Sequence, residues 1–336
     1  MRALITGITG FVGSHLAEYI LAHHPDCEVY GIKRWRSPKD NVRALINNPK
    51  VKIYDCDLRD LGSLIRVFGE VKPDVIFHLA AQSFVTTSFM APQDTLDCNI
   101  GGTCNLLEAI RILRDTAGVK LDPVVHICSS SEVYGQVTQA DLPIKETCPL
   151  RPVSPYAVSK VGEDMLGFMY WEAYKIKTIR TRMFTHSGPR RGEVFVDSFF
   201  SQQVARIELG LQEPVIRVGN LDSVRTFADV RDTVRAYWLL AHKCRPGEVY
   251  NIGGDITMTI REMLDLLLTM TSYQGKIEVR VDPKLLRPAD VTLQIPCPDK
   301  FKNETGWRPE IPYKQCLQDM LDYWRTELGR DLPAKR

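Results

Sequence analysis

Residues 2–22 read RALITGITGFVGSHLAEYILA, and the glycines in the middle of this stretch decide the fold. An apolar run, Ala3 to Ile5, is stopped by Gly7, Gly10 and Gly13, after which Leu16, Ile20 and Leu21 recur at helical spacing. That is strand, glycine turn, helix. In a GxxGxxG turn the first glycine suits a tight reversal, the second lets the backbone approach an anion and the third lets the helix pack close. The N-terminus of the helix then faces the anion. Glycines of this kind can serve the turn alone, but directly after a first strand they predict a dinucleotide pyrophosphate site over Gly7, Thr9, Gly10, Phe11, Val12 and Gly13.

The same unit recurs along the chain. EVYGIK (28–33), VKIYDCDL (51–58), DVIFHLAA (74–81), PVVHICSS (123–130) and KTIRTRMF (177–184) read as strands. SLIRVFGEV (63–71), NIGGTCNLLEAIRIL (99–113) and a stretch from about Tyr156 read as helices between them. Alternation of this kind predicts an α/β fold with a Rossmann-like, doubly wound parallel sheet. GEVYNIG (247–253) is expected to return to that sheet. The predicted organisation is a dinucleotide-binding domain over 1–183 with 227–253, and a smaller discontinuous substrate lobe over 184–226 and 254–336. That lobe closes over the carboxyl ends of the strands, where open parallel sheets bind ligands.

Composition narrows the function. The 336 residues carry 44% hydrophobic content and a net charge of +2, with no block of like charge, so a nucleic-acid partner is not expected. Nine scattered cysteines with no CxxC pair predict reduced thiols, no metal site and a cytoplasmic location. HHPDC at 23–27 reads as a turn after the first helix rather than as metal ligands, because Pro25 stops the helix. No apolar stretch approaches the ~20 residues that cross a bilayer, so no membrane partner is expected.

Two sites stand out for their chemistry. The second strand runs into GIKRWRS (31–37), where an acid that would bind a ribose 2′-hydroxyl is absent and Lys33, Arg34 and Arg36 instead suit a 2′-phosphate. NADP is the expected cofactor and NAD the alternative, with Asp57 and Leu58 after the third strand and Leu79, Ala80 and Ala81 after the fourth flanking it. In SPYAVSK (154–160), Tyr156 and Lys160 stand four apart and share a helix face. An ammonium beside a phenol favours phenolate and suits acid–base work.

Together, ALITGITG, GIKRWRS, LAAQSFV, SSSEVYG, SPYAVSK, GPRRGEVFV, VGNLD and LRPADV resemble the extended short-chain dehydrogenase/reductase family over essentially the whole chain, in particular its GDP-mannose 4,6-dehydratase branch. The resemblance implies a Ser130, Tyr156 and Lys160 triad acting at a sugar 4-hydroxyl, with Tyr156 and Lys160 also binding cofactor. Glu132 is then the base at C5 and the acid at the 6-hydroxyl, which a simple epimerase or 4-keto reductase has no use for. The same resemblance extends to reductases of the 4-keto-6-deoxy product, so reduction is the alternative activity, and a non-catalytic NADP-binding regulator is the alternative of another class. Ser83, Thr185, His186, Arg191, Val196, Arg225 and Arg287 are the implied contacts to the nucleotide sugar. Thr185 stands where dehydratases commonly carry Asn. Members pair through the helices near 100–115 and 156–174, which implies a homodimer or homotetramer.

Overall fold

The computed structural model describes residues 1–286 and 289–330; Arg287 lies outside the described residues. The chain begins with β1 (Arg2–Thr6), α1 (Phe11–His23), β2 (Glu28–Lys33), β3 (Val51–Asp55), α2 (Leu61–Val71) and β4 (Val75–His78). Next come α3 (Val85–Met90), α4 (Pro92–Leu96), α5 (Gly102–Arg111), β5 (Val124–Ser130), α6 (Pro155–Tyr174) and β6 (Thr178–Met183). The long helix expected over 99–113 is α5 with a wider π turn at either end, Asp97–Gly101 and Ile112–Thr116.

β1 alternates its side chains between two cores, as the pleat of a strand covered on both faces demands. Ala3 and Ile5 pack with Leu16, Ile20, Tyr237 and Trp238 on one face, and Leu4 packs with Leu64, Phe68, Leu106 and Tyr170 on the other. Each fully buried Leu or Ile contributes about 1.5–3 kcal/mol of transfer free energy. Local signals fix the helix ends. Asp60 accepts from Ser63 N at the start of α2, and Ser154 accepts from Ala157 N with Pro155 in the first turn of α6.

The second half contributes β7 (His186–Ser187), α7 (Val196–Glu208), β8 (Val215–Val218), β9 (Val224–Asp229), α8 (Val230–Lys243) and β10 (Val249–Ile252). It ends with β11 (Ile256–Thr259), α9 (Ile260–Leu268), β12 (Glu278–Val281), β13 (Leu293–Gln294), α10 (Asp299–Thr305) and α11 (Tyr313–Arg330). The main sheet is parallel in the order β3-β2-β1-β4-β5-β6-β10. Its winding reverses between β1 and β4, so their carboxyl ends open a crevice there.

β9 is the centre of a second sheet, with β11 antiparallel and β7 and β13 parallel to it, while β8 and β12 form a separate pair. The sequence boundary at 226/227 therefore falls inside β9, which belongs wholly to the second sheet. α7, α9 and α11 cover this part through Phe200, Val204, Met263, Leu267, Leu317 and Met320.

Candidate active site

The glycine turn leaves β1 at Gly7, whose φ of +68° is a left-handed conformation and whose Cα faces Ala80 at the end of β4. A Cβ at Gly7 would lie 3.0 Å from Ala80 Cα, and one at Gly13 would lie 2.4 Å from Gly7 O. Both contacts are to backbone, so neither position has room for a side chain. α1 starts at Phe11 with no side-chain cap, which leaves first-turn N–H groups directed at the crevice. An uncapped helix end over a glycine turn fits a pyrophosphate.

Thr6 organises the crevice floor, a role the sequence reading missed. Its hydroxyl accepts from Leu79 N and Ala80 N, both at 3.0 Å, and contacts His78 Nδ1 at 2.9 Å. Leu79 and Ala80 are thereby held beside the end of β1, with Ala81 following them. After β3, Asp57 is paired with Arg59 at 3.0 Å, an interaction that holds its carboxyl below the usual value, and Leu58 is packed on Gly102. Thr9 accepts from Asn41 Nδ2 at 3.1 Å.

Of the three cations expected at a 2′-phosphate, one has another task. Lys33 pairs with Asp55, its register partner on β3, and donates to Arg34 O at 3.3 Å, so it is buried and folds the loop from inside. Arg34 and Arg36 remain exposed, with Arg36 stacked 4.7 Å over Trp35. These two are the cations that an anion can reach.

The end of β5 and the start of α6 bring the predicted acid–base residues into one buried group. Ser130 ends β5, and its hydroxyl accepts from Glu132 N at 3.1 Å. The Tyr156 phenol is pushed up to about 12 by burial, against the pull of Lys160 and of the Ser130 hydroxyl that hydrogen-bonds it. The lowering expected from the Lys160 neighbour is thus present but outweighed by desolvation. Lys160 Nζ lies 5.9 Å over the Tyr156 ring and donates to Cys128 O at 2.8 Å and to Glu163 Oε2 at 2.9 Å.

Glu132 spans the gap to the second sheet, where its Oε1 accepts from Gln294 Nε2 at 3.1 Å. Gln294 on β13 is paired in register with Arg225 on β9, so the carboxylate and that cation approach the same region. Arg225 is nearly buried and contacts Asp290 at 3.6 Å. Gln294 had no sequence signal, because it stands 162 residues from Glu132.

The remaining candidates lie after β4 and on the segment from the end of β6 to the start of α7. His186 stacks on Phe11 at 5.9 Å with the planes 4° apart, and burial together with Arg191 brings its pKa down to about 4, so it is neutral. Arg191 contacts Asp197 at 3.2 Å and lies 4.7 Å over Phe195, next to Val196 at the start of α7. Ser83 is exposed beside Phe84, whose ring meets Phe195 edge-on at 6.2 Å. Thr185 accepts from Ala228 N through its carbonyl, leaving its side chain outside that bond.

Residues 4–320 match the family described as GDP-mannose 4,6 dehydratase. GDP-mannose 4,6-dehydratase of Yersinia enterocolitica is 35% identical over 95% of this chain and 92% of its own. GDP-6-deoxy-D-mannose reductase of Pseudomonas aeruginosa is 34% identical over 98% and 99%. RMD from Pseudomonas aeruginosa, solved in complex with NADPH, superposes with a TM-score of 0.81 at 32% identity over 97% and 99% of the two chains. DesIV from Streptomyces venezuelae, a dTDP-glucose 4,6-dehydratase solved with NAD, gives 0.85 at 29% identity over both chains in full. A parallel sheet with a glycine turn at its reversal, and sequence likeness that runs nearly end to end, make this chain a member of the GDP-mannose 4,6-dehydratase family.

Proposed function

We propose that this protein converts GDP-mannose to GDP-4-keto-6-deoxy-mannose, using bound NADP that is regenerated in each cycle. The observation that carries this reading is the position of Glu132, two residues beyond Ser130 on the same turn and hydrogen-bonded across to Gln294. A carboxylate there has a task in dehydration. Ser130 holds the sugar 4-hydroxyl and Tyr156 takes its proton, with the Lys160 ammonium stabilising the phenolate. A bound nicotinamide would supply the hydride acceptor for C4 and the hydride donor for C6. With C4 a ketone, the C5 hydrogen is acidic; Glu132 removes it and passes the proton to the departing 6-hydroxyl, which leaves as water with a C5–C6 double bond formed. As C6 gains hydride, Glu132 returns a solvent proton to C5, and Tyr156 releases the 4-hydroxyl proton to solvent.

The glycine turn and the uncapped start of α1 support the pyrophosphate of the cofactor, and Arg34 and Arg36 support its 2′-phosphate. Arg191 and Arg225 supply charge for the nucleotide diphosphate of the sugar. The outward face of α6 carries exposed Val158, Met165, Phe168 and Met169 at helical spacing, which supports a homodimer built on that face. Among the described residues no helix is long and apolar enough to cross a membrane.

Reduction of the 4-keto-6-deoxy product is the second reading, and the nearly end-to-end match to the Pseudomonas reductase favours it. One experiment separates them. The purified protein is incubated with GDP-mannose and substoichiometric NADP⁺, and the sugar nucleotide is weighed by mass spectrometry. Loss of one water without net NADPH is the expected result. Unchanged GDP-mannose, together with NADPH consumption when the keto product is supplied, overturns dehydration in favour of reduction.

A further inference from the structure

Glu163 lies one helical turn beyond Lys160 on α6 and is 1% exposed. Its Oε2 takes a hydrogen bond from Lys160 Nζ at 2.9 Å, and its Oε1 is buried with no partner among the described residues. Burying a carboxylate in this way is costly, and an apolar side chain would fill the same space without that cost. Burial pushes the Glu163 carboxyl up to about 7, against the downward pull of Lys160. Lys160 in turn is drawn down by burial but held above the ordinary lysine value by Glu163 and Tyr156.

The geometry gives the carboxylate a task. An ammonium has three N–H donors in a fixed tetrahedral fork. Cys128 O and Glu163 Oε2 take two of them, which fixes the direction of the third. We propose that Glu163 is a positioning residue for the Tyr156 chemistry: it locks the Lys160 ammonium in one orientation and weakens its field at Tyr156, so that three residues rather than two set the pH range of the site. This rests on the reading of Tyr156 as the acid–base group of hydride transfer, and it goes beyond that reading by adding a group the reaction never touches.

The other titratable groups around Lys160 leave the pair in charge of this field. On α6 itself, Asp164 is balanced by Arg180 and Arg182 from β6, at 2.9 and 2.8 Å. On β4 and β5, His78 and His126 are brought down to about 3 by burial, helped by Lys160, and stay neutral. Burial raises the Cys128 thiol on β5 and the Tyr237 phenol on α8, so both stay protonated. Glu132, on the turn after β5, is retained in every variant below.

The test reads Tyr156 directly. Wild type and Glu163→Gln, as NADP⁺ complexes labelled with ¹³C at tyrosine Cζ, are titrated by NMR, with Tyr156→Phe identifying the resonance. In Glu163→Gln the Tyr156 midpoint is expected about one pH unit below wild type, since a negative charge has been removed from its surroundings. The acidic limb of kcat/KM moves with it, while the plateau falls only a few-fold. Glu163→Asp, which keeps the charge but draws it back, shifts the midpoint in the same direction by less, and it serves as the second variant should Glu163→Gln not fold. An unmoved midpoint in either folded variant overturns the proposal, even with activity lost. Because the midpoint is read without sugar nucleotide, its outcome is separate from whether wild type dehydrates GDP-mannose.

Discussion

Replacing Glu132 by Gln should separate oxidation from elimination. The amide oxygen of the new side chain can still accept from Gln294 Nε2, now 3.1 Å from the carboxylate, and the backbone N–H that donates to Ser130 Oγ is unchanged. At the Gln294 contact, folding should therefore lose the charge assistance of a hydrogen bond, about 1 kcal/mol or a few degrees of Tm. Chemistry loses far more. A positioned acid–base group contributes about 10²–10⁴-fold, or roughly 3–5 kcal/mol of barrier, and an amide can neither take the C5 proton nor deliver it to the leaving hydroxyl. Ser130, Tyr156 and Lys160 are untouched, so oxidation at C4 should continue and reduced nicotinamide should build up on the enzyme. The assay mixes enzyme and GDP-mannose in D₂O, following reduced nicotinamide by near-ultraviolet absorbance and C5 deuteration and water loss by mass spectrometry. Water release at the wild-type rate would refute the role given to Glu132. Equal loss of oxidation and elimination would show that the carboxylate acts on the site as a whole.

The joint variant Arg34→Ala/Arg36→Ala should weaken NADP⁺ about 10- to 100-fold while changing NAD⁺ affinity little, as two exposed charge-assisted contacts to one phosphate predict; calorimetric titration with both cofactors measures the ratio. Asp164→Asn leaves Arg180 and Arg182 buried without their carboxylate and should cost about 3–5 kcal/mol, measured by urea unfolding. Acid stability follows from the histidines. His15 is held down at about 4 chiefly by burial and Arg190, and His78 and His126 at about 3 chiefly by burial. The unfolded chain binds these protons first, so the stabilisation from neutral burial is complete above about pH 6.5 and falls as pH drops through 6.5 toward 3. Calorimetric Tm across that window should decline, and it should decline less steeply in His126→Gln.

Much of the fold was legible because β1, β4, β5 and β6 are buried along most of their length and are separated by helices, with glycines marking the first turn. Val75 to Phe77 reads as a continuous apolar run, as a strand covered on both faces must, and in β5 only His126 interrupts Val124 to Ile127. The second sheet was not legible for the opposite reason. β7 and β13 are two residues each, and β12 is exposed at all four positions, so pairing rather than periodicity makes them strands. At the site, the four-residue spacing of Tyr156 and Lys160 was enough to place them together. The pairing of Lys33 with Asp55 was not legible because it is set by the register of β2 against β3, which no local pattern reveals. Glu163 had a signal in the three-residue spacing from Lys160, but a charge on a helix reads as solvated until its burial is seen.

The Glu132–Gln294 hydrogen bond joins the main sheet to the second sheet. Ser130, Tyr156 and Lys160 all belong to the main sheet and its helix α6, so in the proposed cycle the redox half sits on one frame. The carboxylate proposed for proton transfer at C5 and O6 is tied to the second sheet through Gln294. A change in the spacing of the two frames would thus tune elimination while leaving hydride exchange alone, giving natural variation or protein engineering a route between water-eliminating and purely redox catalysts that leaves the hydride-transfer residues intact.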